Sequence, residues 1–270
     1  MLDADGVMML LPAKAGGTDY RLGSDCPADD HDHLHLWADT LTKETEDGVT
    51  FWRSTGHPIQ YASGKPDGTS HRITIIAGGG AQAYNWKTGA IEHGFCGNAH
   101  DLSAFEATIY CRLHTPTGTH ESVSWIIRGG EHDAQRPEDA SCIGISLRDA
   151  PSQNSVFKEL THPVYGYSDV RPKFDYTKAS GKWLGIKVVS YIDSTTTVRN
   201  LMYLDTDPYS SAGSKKNDWR PYLEWTDTQG VVMGAYAQAA LWAGWMNTFR
   251  VDGWTLVDFS IVSAREIVLP

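Results

Sequence analysis

The alternation of apolar and polar residues predicts a chain built almost entirely from short β-strands. Alternating or β-branched runs recur between clusters of Gly, Pro, Asp and Ser, a pattern typical of strands joined by turns. Convincing helical periodicity is missing, although the segment 231–244 is compatible with either a short helix or a loop. The predicted strands are 49–53, 71–77, 105–114, 122–128, 142–147, 155–161, 182–192, 197–205, 220–226, 246–251 and 255–267. No Pro- or Ser-rich linker divides the chain, so we predict one all-β domain over residues 1–270, with two antiparallel sheets in a sandwich or jelly roll.

Several predicted strands separate an apolar side from a side that carries cations and aromatic rings, because alternate residues of a strand share a face. On two of them the polar side carries Tyr110 with Arg112, and Lys187 with Tyr191. A face that only meets solvent would more often carry Thr, Ser, Glu and Lys. The mixture therefore favours a concave sugar-binding sheet, and we predict these four residues and Glu159 to be substrate-binding.

The segment 122–167 gathers groups suited to proton transfer and to binding an anion. Strand parity places Lys158 and His162 on one face, and Pro163 would end that strand at the edge of a cleft. We expect the cations Arg112, Arg128, Lys158 and Lys187 to converge in this cleft. The alternative is that these are merely polar strand-end and loop residues. The gathered side chains are Arg128, Glu131, His132, Lys158, Glu159, His162, Tyr165 and Tyr167.

The charge of the chain limits its partners. It has 23 Lys+Arg against 33 Asp+Glu, a formal net charge of −10, which argues against nucleic acid, since phosphate binding needs a basic surface. An acidic polysaccharide needs only a local basic cleft. No apolar run is long enough to span a membrane. The opening MLDADGVMMLLPAK lacks the features of a secretory signal, and we expect an extracellular protein whose signal has been removed.

Metal binding and disulfides are left open by the sequence. His31, His33 and His35 alternate and would project to one side of an extended strand, where they could serve a metal or simply face solvent. The turn Asp3–Gly6 with Asp252 and Asp258 could hold a structural Ca²⁺. The four cysteines are Cys26, Cys96, Cys111 and Cys142. They allow up to two disulfides, but Cys111 lies on an apolar strand face and is predicted to be a buried free thiol.

The order of these features resembles the concanavalin-like jelly-roll polysaccharide lyases of the alginate and glucuronan lyase type. The similar elements are GVMMLLPAKAGGTDYRL, RGGEH, FKELTHP, GKWLGIKVVSYI, LMYLD with NDW, and NTFRVDG…VDFSIVSAREI, spread over residues 6–267. FKELTHPVYGY is similar to the YFKxGxYxQ strand of alginate lyases at Phe157 and Lys158 only. The QIH motif of those enzymes has no counterpart in this chain.

This resemblance implies β-elimination on a uronate-containing polysaccharide or oligosaccharide, with no metal or organic cofactor required. The catalytic residues that it implies are Arg128, His132, Lys158, His162, Tyr165 and Tyr167. The two cations would neutralise the C6 carboxylate, and one of the histidines would remove the C5 proton. One of the tyrosines would protonate the leaving glycosidic oxygen, or act as both acid and base if a neighbouring cation lowers its pKa.

Three other functions remain open from the sequence. A non-catalytic carbohydrate-binding jelly roll would keep the aromatic residues without a proton-transfer site. A glycoside hydrolase would need a carboxylate pair, for which Glu131 and Glu159 are candidates, although the ExDxE strand motif of jelly-roll glucanases is absent. A capsid or fibre jelly roll would need no cleft.

Overall fold

The computed structural model describes eighteen β-strands and no α-helix within residues 1–21, 34–37, 40–59, 68–76, 84–85, 90–91, 102–118, 121–130, 137, 141–147, 155–176, 180–244 and 246–269. Every predicted strand overlaps one of them, and the described segment 231–244 is a loop. The strands are β1 Asp19–Arg21, β2 Leu34–Trp37, β3 Thr40–Glu46, β4 Val49–Thr55, β5 His57–Ile59, β6 Gly68–Ile76, β7 Tyr84–Asn85, β8 Ala90–Ile91, β9 Phe105–Leu113, β10 Ser122–Gly129, β11 Cys142–Leu147, β12 Val156–Thr161, β13 Val164–Tyr167, β14 Trp183–Ser194, β15 Thr197–Asp205, β16 Arg220–Thr228, β17 Met246–Asp252 and β18 Leu256–Glu266.

Two antiparallel eight-stranded sheets make up the sandwich. The first sheet has the order β16-β15-β14-β9-β18-β4-β3, with β1 beside β18. The second has the order β13-β12-β11-β10-β17-β6-β2, with β5 beside β6. The short strands β7 and β8 pair with each other. Strands distant in sequence are neighbours in both sheets, since the chain crosses repeatedly between them. This confirms the predicted all-β architecture of two antiparallel sheets.

The core forms where the apolar strand faces of the two sheets meet. Ile109 and Cys111 of β9 lie in it from the first sheet, and Trp125 and Ile143 lie in it from the second. All four are fully buried, as the alternation of the sequence predicted. Cys111 is confirmed as a buried free thiol, and Cys142 is also free. Cys26 and Cys96 lie outside the described residues.

The outer face of the first sheet is covered by the N-terminal segment. The backbone N–H groups of Leu10 and Leu11 donate to Glu106 on β9, and Lys187 on β14 donates to the carbonyl of Met8. Val7 packs against Tyr110 in a second, small apolar cluster. Strand β9 is consequently buried on both of its faces. Much of this outer face is therefore closed to a large ligand.

No helix among the described residues is both long enough and apolar enough to cross a membrane.

Candidate functional site

Two predicted substrate-binding residues of the first sheet are buried in its covered face. Lys187 donates to Glu106 at 2.5 Å, and its ammonium lies 4.8 Å from the centroid of the Trp219 ring. Burial lowers the pKa of Lys187, while the Glu106 charge opposes that shift. Tyr110 is fully buried, and burial raises its pKa far above the ordinary value. The prediction that these two side chains contact substrate is corrected, because the N-terminal segment lies over them. Tyr191 is half-buried on the same sheet, opposite Arg199.

Arg112, the third such residue, belongs to a network of ion pairs on the first sheet. Its guanidinium stacks between Phe51 and Trp183, with centroid distances of 5.0 and 4.9 Å. It donates to Asp258 at 2.9 Å and to Glu46 at 2.6 Å. Arg112 is thus held in place by aromatic rings and carboxylates, and the prediction that it converges with Arg128 and Lys158 is wrong.

Asp258 makes this network sensitive to acid. Burial alone would raise its pKa, but hydrogen bonds from Arg53, His114 and Arg112 outweigh that effect and lower the pKa. A lowered folded-state pKa contributes stability that is present above the unfolded value, about 3.9, and is lost as the pH falls through the folded value.

We expect Asp258→Asn to reduce the free energy of unfolding at neutral pH and to flatten its decline in acid. Urea unfolding at a series of pH values measures this, with Asp207→Asn as the exposed control. An unchanged acid slope would contradict the role of Asp258.

Arg128 points into the sandwich because the strand is irregular at this residue. Its φ of 54° lies in the left-handed region, and the register between β10 and β17 shifts between Ile126 and Gly129. The fully buried guanidinium donates to Ser190 Oγ of β14 at 3.0 Å and to the carbonyls of Trp242 and Ser103. The predicted role of Arg128 in binding a substrate carboxylate is corrected, since these bonds occupy it between the sheets.

Lys158 also points between the sheets. Its ammonium donates to Asp227 Oδ1 of β16 and to the carbonyl of Gln238, both at 2.6 Å. Burial lowers the pKa of Lys158, and the charge of Asp227 opposes this. The alternation of residues along the strand correctly predicted that Lys158 shares a face with Val156 and Leu160, but that face packs into the core. The prediction that Lys158 and His162 share a face is wrong, because β12 ends at Thr161 and His162 lies in the following turn.

The hairpin of β12 and β13 brings together four of the predicted residues on the outer face of the second sheet. The Nδ1–H of His162 donates to Glu159 Oε1 at 2.6 Å, and Tyr165 lies directly opposite Glu159 in the register of β12 and β13. Tyr167 lies two residues further along β13. The side chain of His162 is 40% exposed, and Tyr165 and Tyr167 are 39% and 52% exposed. We call Glu159, His162, Tyr165 and Tyr167 the hairpin cluster. Glu131 and His132 lie outside the described residues.

The carboxylate of the hairpin cluster is buried beneath its exposed partners. Burial raises the pKa of Glu159, although the hydrogen bond from His162 opposes this. Burial and the nearby charge of Glu159 raise the pKa of Tyr165 far above the ordinary value. The phenol therefore stays protonated at neutral pH, as a proton donor must, and is a weaker acid than an ordinary tyrosine. Cys142 contacts Glu159 Oε2 at 3.8 Å, and burial raises its thiol pKa well above the usual range.

Aromatic rings extend the hairpin cluster along the sheet. The Phe157 ring packs edge-on against Tyr165 at 5.5 Å, and Tyr165 stacks on Tyr167 at 6.3 Å between centroids. A Cβ at Gly144 would lie 2.0 Å from the Phe157 ring, so this position must be glycine for the ring to lie over β11. The resulting surface can contact the apolar face of a sugar ring.

Two arginines on the same outer face were missed by the sequence interpretation. Arg250 of β17 and Arg72 of β6 are directly opposite in register, and both are partly exposed. Like charges in this arrangement repel. Asp252 offsets part of the charge, with its Oδ2 2.6 Å from Arg250 Nε. Arg250 lies close enough to Tyr165 to oppose the rise in its pKa. Parity would have found both arginines, because they alternate with buried residues such as Ile73 and Phe249.

The hairpin is held by a loop that follows β16. The Tyr236 hydroxyl donates to the carbonyl of Val164 at 2.7 Å and accepts from the N–H of Thr161 at 3.3 Å. A Cβ at Gly166 would lie 2.2 Å from the carbonyl oxygen of Met233, which shows how closely the loop approaches β13. These contacts fix the turn that carries His162.

The aspartates offered for a metal do not form a shared site. Among the described residues, no group of three His, Cys, Asp or Glu side chains could hold a metal ion. The four aspartates proposed for Ca²⁺ are each paired with an arginine: Asp3 with Arg265, Asp5 with Arg21, Asp252 with Arg250, and Asp258 with Arg53 and Arg112. His31, His33 and the side chain of His35 lie outside the described part of the chain.

The fold is a concanavalin-like jelly roll, which is shared with polysaccharide lyases, lectins and glycoside hydrolases. A marine PL-14 alginate lyase from Aplysia kurodai matches with a TM-score of 0.51 and 11% identity, covering 93% of this chain and 98% of that chain. An endo-β-1,4-glucuronan lyase from the fungus Trichoderma reesei matches at 0.43 and 11%, covering 88% and 92%. Peanut lectin matches at 0.42 and 9%, covering 94% and 99%.

No protein-family model matches the chain, and no curated protein matches it in sequence. The predicted resemblance to the jelly-roll lyases is confirmed as a likeness of fold. At such identities it shows the fold alone.

Proposed function

We propose that this protein is a polysaccharide lyase that cleaves a uronate-containing polymer by β-elimination on the outer face of the second sheet. The observation that carries the proposal is the hydrogen-bonded pair of His162 and Glu159 with Tyr165 directly opposite Glu159 in register, and with both the imidazole and the phenol partly exposed. An imidazole oriented by a carboxylate can take a proton, and a protonated phenol can supply one. The alginate lyase from Aplysia kurodai shares the fold.

The chemistry assigns one role to each group. Arg250, with Arg72 beside it, binds the C6 carboxylate and stabilises the enolate that develops when the C5 proton leaves. His162 accepts that proton, while Glu159 orients the ring and stabilises the imidazolium. The electron pair forms the C4–C5 double bond as the C4–O bond breaks. Tyr165 or Tyr167 donates its proton to the departing glycosidic oxygen. Arg250 thus takes the role that the sequence assigned to Arg128 and Lys158.

Product analysis tests the reaction. Purified protein is incubated with polymannuronate, polyguluronate, polyglucuronate and polygalacturonate, and the ultraviolet absorbance of unsaturated uronate is followed alongside new reducing ends. We expect both signals to rise together on at least one polymer. Reducing ends without absorbance would identify a hydrolase. Binding without either signal would identify a non-catalytic carbohydrate-binding protein, a function that the exposed rings of Tyr165 and Tyr167 and the partly exposed ring of Phe157 would also serve.

Arg250 provides a test of ligand charge. We expect Arg250→Ala to lower kcat/KM by about 10–100-fold, because a hydrogen bond to a charged group is worth about 1.5–3 kcal/mol and about 1.4 kcal/mol is tenfold. Activity should also fall with added salt, since partly exposed charges are screened. Lys43→Ala removes one cation from the first sheet and serves as the matched control. Activity that does not fall with added salt, or equal losses in the two variants, would contradict the role of Arg250.

A further inference from the structure

A pocket opens at the lateral edge of the sandwich, between β13 at the end of the second sheet and β16 at the end of the first. Its cavity volume is about 250 Å³, just below the roughly 300–1,000 Å³ that pockets for drug-sized ligands span, so it suits only a small ligand. The segment that follows β13 lines one side, and the loop that follows β16 lines the other. We call this the edge pocket, and its lining includes Tyr167, Asp169, Trp225, Thr228 and Val232.

The lining combines apolar surface with hydroxyl groups. Trp225 is half-buried, and the Lys158 ammonium lies 6.0 Å from its ring centroid. Val231 and Val232 are 59% and 70% exposed, which is unusual for valine. Hydroxyl groups of Ser168, Thr226 and Thr228 lie among them. A pyranose ring presents the complementary surface, with an apolar C–H face and a rim of hydroxyls.

The charges of the edge pocket disfavour a uronate. None of its described lining residues is a lysine or an arginine. The Asp169 carboxylate is at an exposed position, and the Asp227 carboxylate already accepts from Lys158 and from the N–H of Ala240. An anionic sugar would therefore face a carboxylate without a nearby lining cation. This contrasts with the outer face of the second sheet, where Arg72 and Arg250 lie.

Tyr167 belongs to both places. It is a member of the hairpin cluster, and it also lines the edge pocket. A polymer that crosses the cluster toward the end of the second sheet therefore continues directly into the pocket. We propose that the edge pocket is a subsite for a neutral sugar unit, and that the substrate is a heteropolymer in which uronates have neutral neighbours. The neutral subsite follows from the pocket itself, whereas the neighbouring uronate rests on the proposed function.

Calorimetric binding tests the subsite without requiring turnover. The probes are cello-, manno- and galacto-oligosaccharides, compared with an oligoglucuronate. We expect at least one neutral series to bind, and Trp225→Ala to weaken that binding by about tenfold or more, as truncation of a central aromatic contact commonly does. Val232→Lys alters an exposed position and should keep the fold. It should strengthen oligoglucuronate binding in a salt-dependent way, whereas the matched control Val268→Lys should not.

The outcomes separate the two proposals. Absence of neutral-sugar binding would overturn the subsite, as would neutral binding that a folded Trp225→Ala variant retains in full. If Trp225→Ala does not fold, the lysine variants provide the test. The neutral subsite would be overturned if Val232→Lys bound oligoglucuronate no more tightly than Val268→Lys does. Neutral-sugar binding that depends on Trp225, in a protein that cleaves neither the uronate homopolymers nor polymers in which uronates alternate with neutral sugars, would support the subsite and reject the lyase.

Discussion

Replacing His162 with alanine is expected to lower kcat by about 10²–10⁴-fold, the contribution of a positioned acid–base group. KM and the melting temperature should change little, because the imidazole is partly exposed and contacts substrate mainly during proton transfer. Added imidazole should restore part of the activity. Steady-state kinetics with thermal denaturation measure all three quantities.

The same experiment distinguishes the members of the hairpin cluster. Glu159→Gln should also lower kcat, since an amide orients the ring but cannot stabilise the imidazolium. Tyr165→Phe and Tyr167→Phe identify the acid, because only the residue that donates the proton should show the full loss. Tyr191→Phe is the matched control on the first sheet. A His162→Ala enzyme with wild-type kcat would remove the hairpin cluster from catalysis.

Replacing Lys158 with methionine is expected to reduce the free energy of unfolding by about 3–5 kcal/mol, because it leaves the Asp227 carboxylate buried without its cation. Lys173→Met is the matched control, since Lys173 forms an exposed pair with Glu224 at 3.5 Å and such pairs contribute about 0–1 kcal/mol. The double variant Lys158→Met/Asp227→Asn should lose less than the sum of the single variants. Denaturant unfolding measures each difference.

This prediction also decides between two roles for Lys158. The sequence pattern suggested a catalytic cation, whereas the structure places the ammonium between the sheets. A Lys158→Met protein with unchanged stability and abolished turnover would favour catalysis. A destabilised protein that keeps its kcat at low temperature would favour the structural role.

The strands were predictable because their signal is local. The alternation in β9 identified Ile109 and Cys111 as core residues. It could not show that the opposite face, with Tyr110, is buried as well, because the covering segment lies about a hundred residues earlier in the chain. Lys187 was misassigned for the same reason, since its partner Glu106 is 81 residues away in sequence.

The candidate site was only partly predictable from parity. Glu159, His162, Tyr165 and Tyr167 come together because a short hairpin joins them, and the sequence shows them as close neighbours. Arg128 deviates from its expected face because its backbone adopts a positive φ, which single-sequence alternation does not reveal. Arg250 could have been found, since it alternates with Phe249 and Val251 on a correctly predicted strand.

The inward direction of Arg128 and Lys158 has a mechanical consequence. Each side chain starts on the second sheet and bonds to a residue of the first, Ser190 and Asp227 respectively. Apolar contacts tolerate sliding, but these directional bonds break if one sheet shears past the other, which would leave buried polar groups unpaired. The hydrogen bonds of Arg128 and Lys158 therefore fix the position of one sheet relative to the other at two separate places. We expect the outer face of the second sheet to be a preorganised binding surface, whose shape is the same before and after a polymer binds.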